Sequence, residues 1–232
     1  MSLFVQMHEN GFSIADIRRL QQCYYTACSM FNGRYRKTGR PFMCHCVGVA
    51  SSVAQFSSDP DMVLAGLFHA AYDAGQFPDG RYGKTSKEHR AWLFGKIGSK
   101  AEAIAARYLD FDFETGAPER LLSEGFHDDD RDLLFIALAH EVDDLADGGL
   151  ALAPKYGDSI ASRVTSCTEL ARQIGQHDLA ECLAAHGRRH EDLAWMHQLQ
   201  PDRLRGFRIV AGLRAHIRLR RAAARGKDVR IF

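Results

Sequence analysis

Apolar residues recur every three to four positions along most of this chain, and no stretch alternates with the period of two that marks a half-buried strand. In "SIADIRRLQQCYYTACSMF" (13–31) they follow Ser13 and Asp16, a helix-capping signal. Residues 32–41, "NGRYRKTGRP", form a basic turn punctuated by glycine, and Pro41 opens a second helix at its N1 position, running to about Phe56. Asp59 and Pro60 repeat the device for one helix over 59–75. Two short helices follow at 86–98 and 99–109, the second with a Ser99–Glu102 capping box. After a loop, 128–147 is a strong helix with acids in its first turn, as the helix dipole favours, stopped by Gly148 and Gly149. Further helices are expected at 158–174, 177–187, 190–198 and 202–224. The predicted fold is all-α: a helical bundle over 1–150 and a C-terminal helical extension over 151–232 packed on it as one unit.

Length and composition (232 residues, 46% hydrophobic, 25% charged) describe an ordinary globular chain with enough residues for a full core. No apolar run is long enough to span a bilayer, and "MSLFVQMHENGFS" lacks a basic region followed by an apolar one. A cytoplasmic location is expected. The six cysteines form no CxxC pair and read as reduced, buried thiols. The net charge of +1 hides an asymmetry. Residues 203–230 carry ten Lys or Arg against Asp228, which is +9 and leaves 20 basic and 28 acidic residues, −8, elsewhere. This segment is amphipathic, with Phe207, Val210, Ala211, Arg214 and Ile217 near one face. Docking on the acidic body or a sister subunit in a homo-oligomer, binding of nucleic acid or an anionic surface, and help in holding an anionic substrate all remain open for it.

Candidate chemistry begins at "PFMCHCVGVA" (41–50), where His45 lies between two cysteines. Successive helical residues point about 100° apart, so Cys44, His45 and Cys46 do not converge on one ion. His45 shares a face with Val49, Val53 and Phe56. His69 follows "VLAGLF", with Tyr72 and Asp73 one turn on. His140 follows "LLFIALA", with Asp143 and Asp144 one turn on. A buried imidazole costs free energy unless its nitrogens are bonded. Three separately satisfied core histidines, or three converging on one ion, both meet that requirement. The literal His–Asp pairs at 127–128 and 177–178 follow no apolar helix and read as helix starts. No P-loop, GxSxG or GxGxxG motif occurs.

The stretches "RKTGRPFMCHCVGVA", "DPDMVLAGLFHAAYDAG" and "LAHEVDDLAD", in this order, resemble the HD-domain superfamily over about residues 15–150. The closest likeness is to the RelA/SpoT-type alarmone-hydrolase domain, and "AGLFHAAYDAGQF" is similar to HD-related proteins carrying a GLFHSxYGT-like motif. The resemblance implies metal ligands at His45, His69 and His140, the last standing where the family has an aspartate. Ala70 stands where the signature aspartate belongs. Asp73 falls on a catalytic acid, Ala74 replaces its companion, and Asp144 takes a polar position, so Asp73 and Asp144 become acid–base candidates. Arg36 and Lys37 match a basic pair tied to nucleotide binding, and Tyr72 joins them as a substrate-binding candidate. Three imidazoles favour zinc, iron or manganese over magnesium. The implied function is a metal-dependent, hydrolytic enzyme acting on a small anionic metabolite, a nucleotide or phosphorylated compound. The alternatives are an iron-dependent oxygenase and a non-catalytic module binding a nucleotide or a protein.

Overall fold

The computed structural model describes residues 3–36, 38–83, 85–114, 116–147, 159–193 and 195–196. Lys37, the segment 203–230 and the helix expected at 202–224 lie outside the described residues. Regular structure among the described residues is helical, as the periodicity predicts. Two isolated bridges, Tyr35 to Pro41 and Gln76 to Tyr82, close the basic turn and the loop that starts at residue 77. No described helix is long and apolar enough to cross a membrane.

The helices are α1 (Leu3–Glu9), α2 (Ile14–Phe31), α3 (Phe42–Phe56), α4 (Pro60–Phe68), α5 (Ala71–Ala74), α6 (Lys87–Ile97), α7 (Ser99–Tyr108), α8 (Ala117–Glu124), α9 (Arg131–Ala146), α10 (Val164–Gln173) and α11 (His177–Asp192). Side-chain caps open α2, α4 and α6. The Ser13 hydroxyl accepts from the Asp16 backbone N–H at 3.1 Å, and the Asp16 carboxylate accepts from the Ser13 N–H at 3.2 Å. Asp59 accepts from the Asp61 N–H at 2.8 Å, with Pro60 in the first turn. Pro41 is the cap of α3 rather than its first residue.

Further expectations need correction. The segment 59–75 is two helices, broken at His69 and Ala70. Ser99 and Glu102 form no capping box: Gly98 caps α7 without a side-chain bond, and Glu102 is buried. The Glu102 carboxylate instead accepts from the Tyr72 hydroxyl at 2.5 Å and from Arg90 Nε and Nη2 at 2.8 and 2.9 Å. Residues 177–187 and the start of 190–198 are one continuous helix, α11. Gly187 does not stop it, because an added Cβ there would lie 2.6 Å from Val164 Cγ1, so the glycine lets α10 approach closely. Finally, α8 occupies a stretch expected to be a loop, and α1 one for which no element is predicted. Leu3 and Met7 bury one face of α1, and the left-handed Gly116 (φ 87°), Pro118 and Gly125 bound α8.

Helices α3, α4 and α9 pack against one another at the centre, and α10 and α11 cover α9. Small residues set the closest approach. A Cβ on Gly66 of α4 would meet Val53 Cγ2 at 3.0 Å and Ala50 Cα at 3.4 Å. This close packing places the start of α3 beside the end of α4, and each of the three central elements carries one of the singled-out histidines.

Candidate metal centre

His45 of α3, His69 at the end of α4 and His140 of α9 meet in one cluster. Their ring centres stand 4.6 Å (His45–His140), 5.1 Å (His45–His69) and 5.3 Å (His69–His140) apart, each pair edge to face. One nitrogen from each ring lies within 4.8 Å of the other two. A tetrahedral ion with imidazole nitrogens at about 2.0–2.1 Å puts the ring centres, each about 1.1 Å behind its nitrogen, about 5 Å apart. The cluster therefore fits such an ion in the size of its triangle as well as in its donor chemistry.

The free nitrogens are fixed by what holds the others. His69 Nδ1–H donates to the Gly66 carbonyl at 2.8 Å, one turn back on its own helix, which leaves Nε2 as the lone pair. His45 Nδ1 lies 2.7 Å from Asp143 Oδ2, and donation to that carboxylate likewise presents Nε2. Arg36 Nη1 also touches His45 Nδ1. One ring nitrogen cannot both donate to Asp143 and accept from Arg36, and the tautomer that serves Asp143 is the one that offers Nε2 to an ion. His140 Nδ1 is 3.6 Å from Asp144 and 3.8 Å from Glu141, and its side chain keeps 20% of its exposure. His45 and His69 are buried, so the cluster opens to solvent on the His140 side.

A second group, His45, Asp143 and Asp144, overlaps the first. Its carboxylates are already engaged. Arg40 Nη1 donates to both oxygens of Asp143 at 3.0 and 2.8 Å, and Arg36 Nη2 donates to Asp144 at 2.9 Å. Two guanidinium charges there oppose a cation, which favours the three-histidine set.

The structure does not bring all the candidate residues together. Asp144 joins the cluster, bound to Arg36. Arg36 is not a surface cation awaiting a substrate: its side chain is 9% exposed and pairs with Asp144, 3% exposed. Tyr72 is fully buried, its hydroxyl on Glu102, and Asp73 is exposed outside the cluster. The cause is the break at His69–Ala70, which ends the i, i+4 relation that an unbroken helix would give His69 and Asp73. Lys37 is outside the described residues.

Four participants went unread as site residues. Asp143 and Arg40 support His45, and their signal was present in "HEVDD" and "TGRP". Gly48 is the third: a Cβ there would lie 1.7 Å from Asp143 Oδ1 and 2.9 Å from Arg40 Nη2. Tyr108 is the fourth, its ring 5.5 Å from that of His69. No sequence signal distinguishes it.

Burial, and then the neighbouring His140, hold the His69 imidazole down at about 3. Burial, followed by the charges of His140 and His69, holds His45 well below the ordinary histidine range. Both rings are neutral lone-pair donors at physiological pH. Burial lifts Asp143 to about 6 against the pull of Arg40. For His69 the unfolded chain takes its proton near 6.5, before the folded one does. Its contribution to stability is therefore complete above about pH 6.5 and is lost as the pH falls toward 3. Asp143 acts in the opposite sense, because its folded form takes a proton first. Metal-free protein is expected to lose about 1.4 kcal/mol per pH unit more than a His69→Gln variant between pH 6 and 4. Urea midpoints at stepped pH measure this, and parallel pH profiles would contradict it.

A family described as a domain of unknown function (DUF6817) matches residues 29–112. The match runs from the end of α2 past α7 and takes in His45, His69 and Tyr108, but not His140. Among curated proteins, none matches the chain.

Proposed function

We propose that the chain is an HD-related, metal-dependent enzyme whose centre is His45, His69 and His140, and that it hydrolyses a small anionic, phosphoryl-bearing metabolite. The observation that carries this reading is the meeting of three imidazoles from three elements, two of them with Nδ1 committed elsewhere. Edge-to-face packing brings aromatic rings to such distances in pairs, whereas here one nitrogen from each of three rings lies within 4.8 Å of the other two. The order of the three along the chain, a proline-led helix, the end of a second helix, then a later acidic helix, supports the HD relationship.

A bound zinc, manganese or iron would supply Lewis-acid polarisation and a lowered water pKa. The protein's part is positioning. Asp143 and the Gly66 carbonyl fix two rings, and Asp144 and Glu141 flank the Nδ1 side of the third. Charge supports an anionic substrate. Arg36 and Arg40 are matched by Asp144 and Asp143, and Arg163 is matched by Glu141 at 2.7 and 2.9 Å. With every ligand neutral, a divalent ion would keep its charge and draw an anion to the His140 side.

Metal-stripped protein reloaded with zinc, manganese or iron(II) and offered a panel of nucleotides and sugar phosphates tests this. Metal-dependent phosphate or pyrophosphate release is expected, reduced at least about 100-fold in His69→Ala. Full metal loading with no release across the panel would overturn hydrolysis.

A further inference from the structure

We propose that Tyr108 donates a hydrogen bond to an oxyanion held on the open side of the three-histidine cluster, and so selects ligands that present an acceptor oxygen there. This rests on the metal-centre reading above.

Tyr108 is the last residue of α7 and is half-buried, its ring edge-on to His69 at 5.5 Å and 84°. The charges that act on its hydroxyl are those of Glu141, Asp144, Arg163 and Arg36. Glu141 and Asp144 are the same two carboxylates that flank His140 Nδ1. The phenol therefore stands beside His69, with its hydroxyl in the field of the two carboxylates that flank His140. Each of those groups already has a partner: Asp144 with Arg36, and Glu141 with Arg163. No described residue exchanges a hydrogen bond with the Tyr108 hydroxyl. Tyr72 differs, being fully buried with its hydroxyl donating to Glu102. A half-buried phenol with no described acceptor keeps its O–H for water or for a ligand. An oxyanion drawn to the centre would bring that acceptor, and a pre-placed neutral O–H beside developing negative charge is how such sites stabilise it.

Cobalt(II) substitution tests this, because its visible spectrum reports ligands entering the site. Parent and Tyr108→Phe protein, both loaded with cobalt, are titrated with formate, an oxyanion, and with imidazole, a neutral ligand whose bound nitrogen leaves no acceptor for a phenol. Tyr108→Phe is expected to keep the parent's cobalt stoichiometry and melting temperature, because the hydroxyl bonds no described residue. Its formate affinity should fall about 10-fold or more while imidazole affinity stays within about twofold. Equal formate affinity in the two proteins would overturn the role of Tyr108 and leave the metal centre standing. An equal fall for both ligands would make Tyr108 a packing residue only, which also overturns it. If the parent takes up no cobalt, the metal-centre reading fails and this inference fails with it.

Discussion

Gly48→Ala is expected to disrupt the proposed centre although Gly48 offers no ligand atom and lies three residues from His45, the nearest proposed ligand. In the interior of an exposed helix, replacing glycine with alanine gains up to about 1 kcal/mol. At Gly48 the new Cβ would lie 1.7 Å from Asp143 Oδ1 and 2.6 Å from its Cγ, well inside contact distance. The carboxylate must move, and it is the shared partner of His45 at 2.7 Å and of Arg40 at 3.0 and 2.8 Å. Losing these bonds to a buried charge costs about 3–5 kcal/mol. Freeing the His45 ring costs about 10–100-fold in metal affinity. Gly95 in α6 is the internal control, because nothing lies within 4 Å of a Cβ there. Gly95→Ala should raise stability slightly and leave metal binding alone. Urea denaturation and metal titration of the two variants measure both effects. A Gly48→Ala protein as stable and as tight-binding as the parent would show that Asp143 is not held where we place it.

Arg36→Ala is expected to act on stability more than on substrate binding. The guanidinium pairs with a carboxylate that is almost wholly buried. Removing one partner of a buried ion pair leaves the other charge uncompensated, at a cost of about 3–5 kcal/mol. For a chain of this size that is a fall in Tm on the order of 10 °C. The paired change Arg36→Met with Asp144→Leu should recover much of the loss, since apolar replacement of a whole buried pair is often neutral. A variant with unchanged Tm and a raised KM alone would restore Arg36 to the substrate-binding role that its place in the basic turn suggests.

Arg36 also shows how far the sequence could be read. Its charge, its turn and its place before a proline-led helix were all legible. Its partner is 108 residues away, and nothing local announces a pairing that only the packing of α3 on α9 creates. The helices themselves were legible because caps and apolar spacing are local: Ser13, Asp59 and the apolar run of α9 sit as their neighbours dictate. Where a local rule failed, tertiary structure had taken the residue for something else. Glu102 has the spacing of a cap, yet its carboxylate is engaged by Tyr72 and Arg90. Gly187 has the look of a helix stop, yet it serves the contact with Val164. The three histidines were visible as apolar-face residues with carboxylates one turn on, which gave the candidates but not their convergence. The break after α4 redirected Asp73 and Tyr72. At that break the His69 ring bonds the Gly66 carbonyl, a detail of the side chain rather than of the pattern.

The central claim is that His45, His69 and His140 hold one ion. Metal content by elemental mass spectrometry, on untagged parent protein beside His45→Ala and His140→Ala, tests it most directly. One equivalent of zinc, iron or manganese in the parent, lost from both variants while their helical circular dichroism persists, is the predicted result. A parent that stays metal-free after reconstitution, or folded variants that keep the parent's full equivalent, would contradict it.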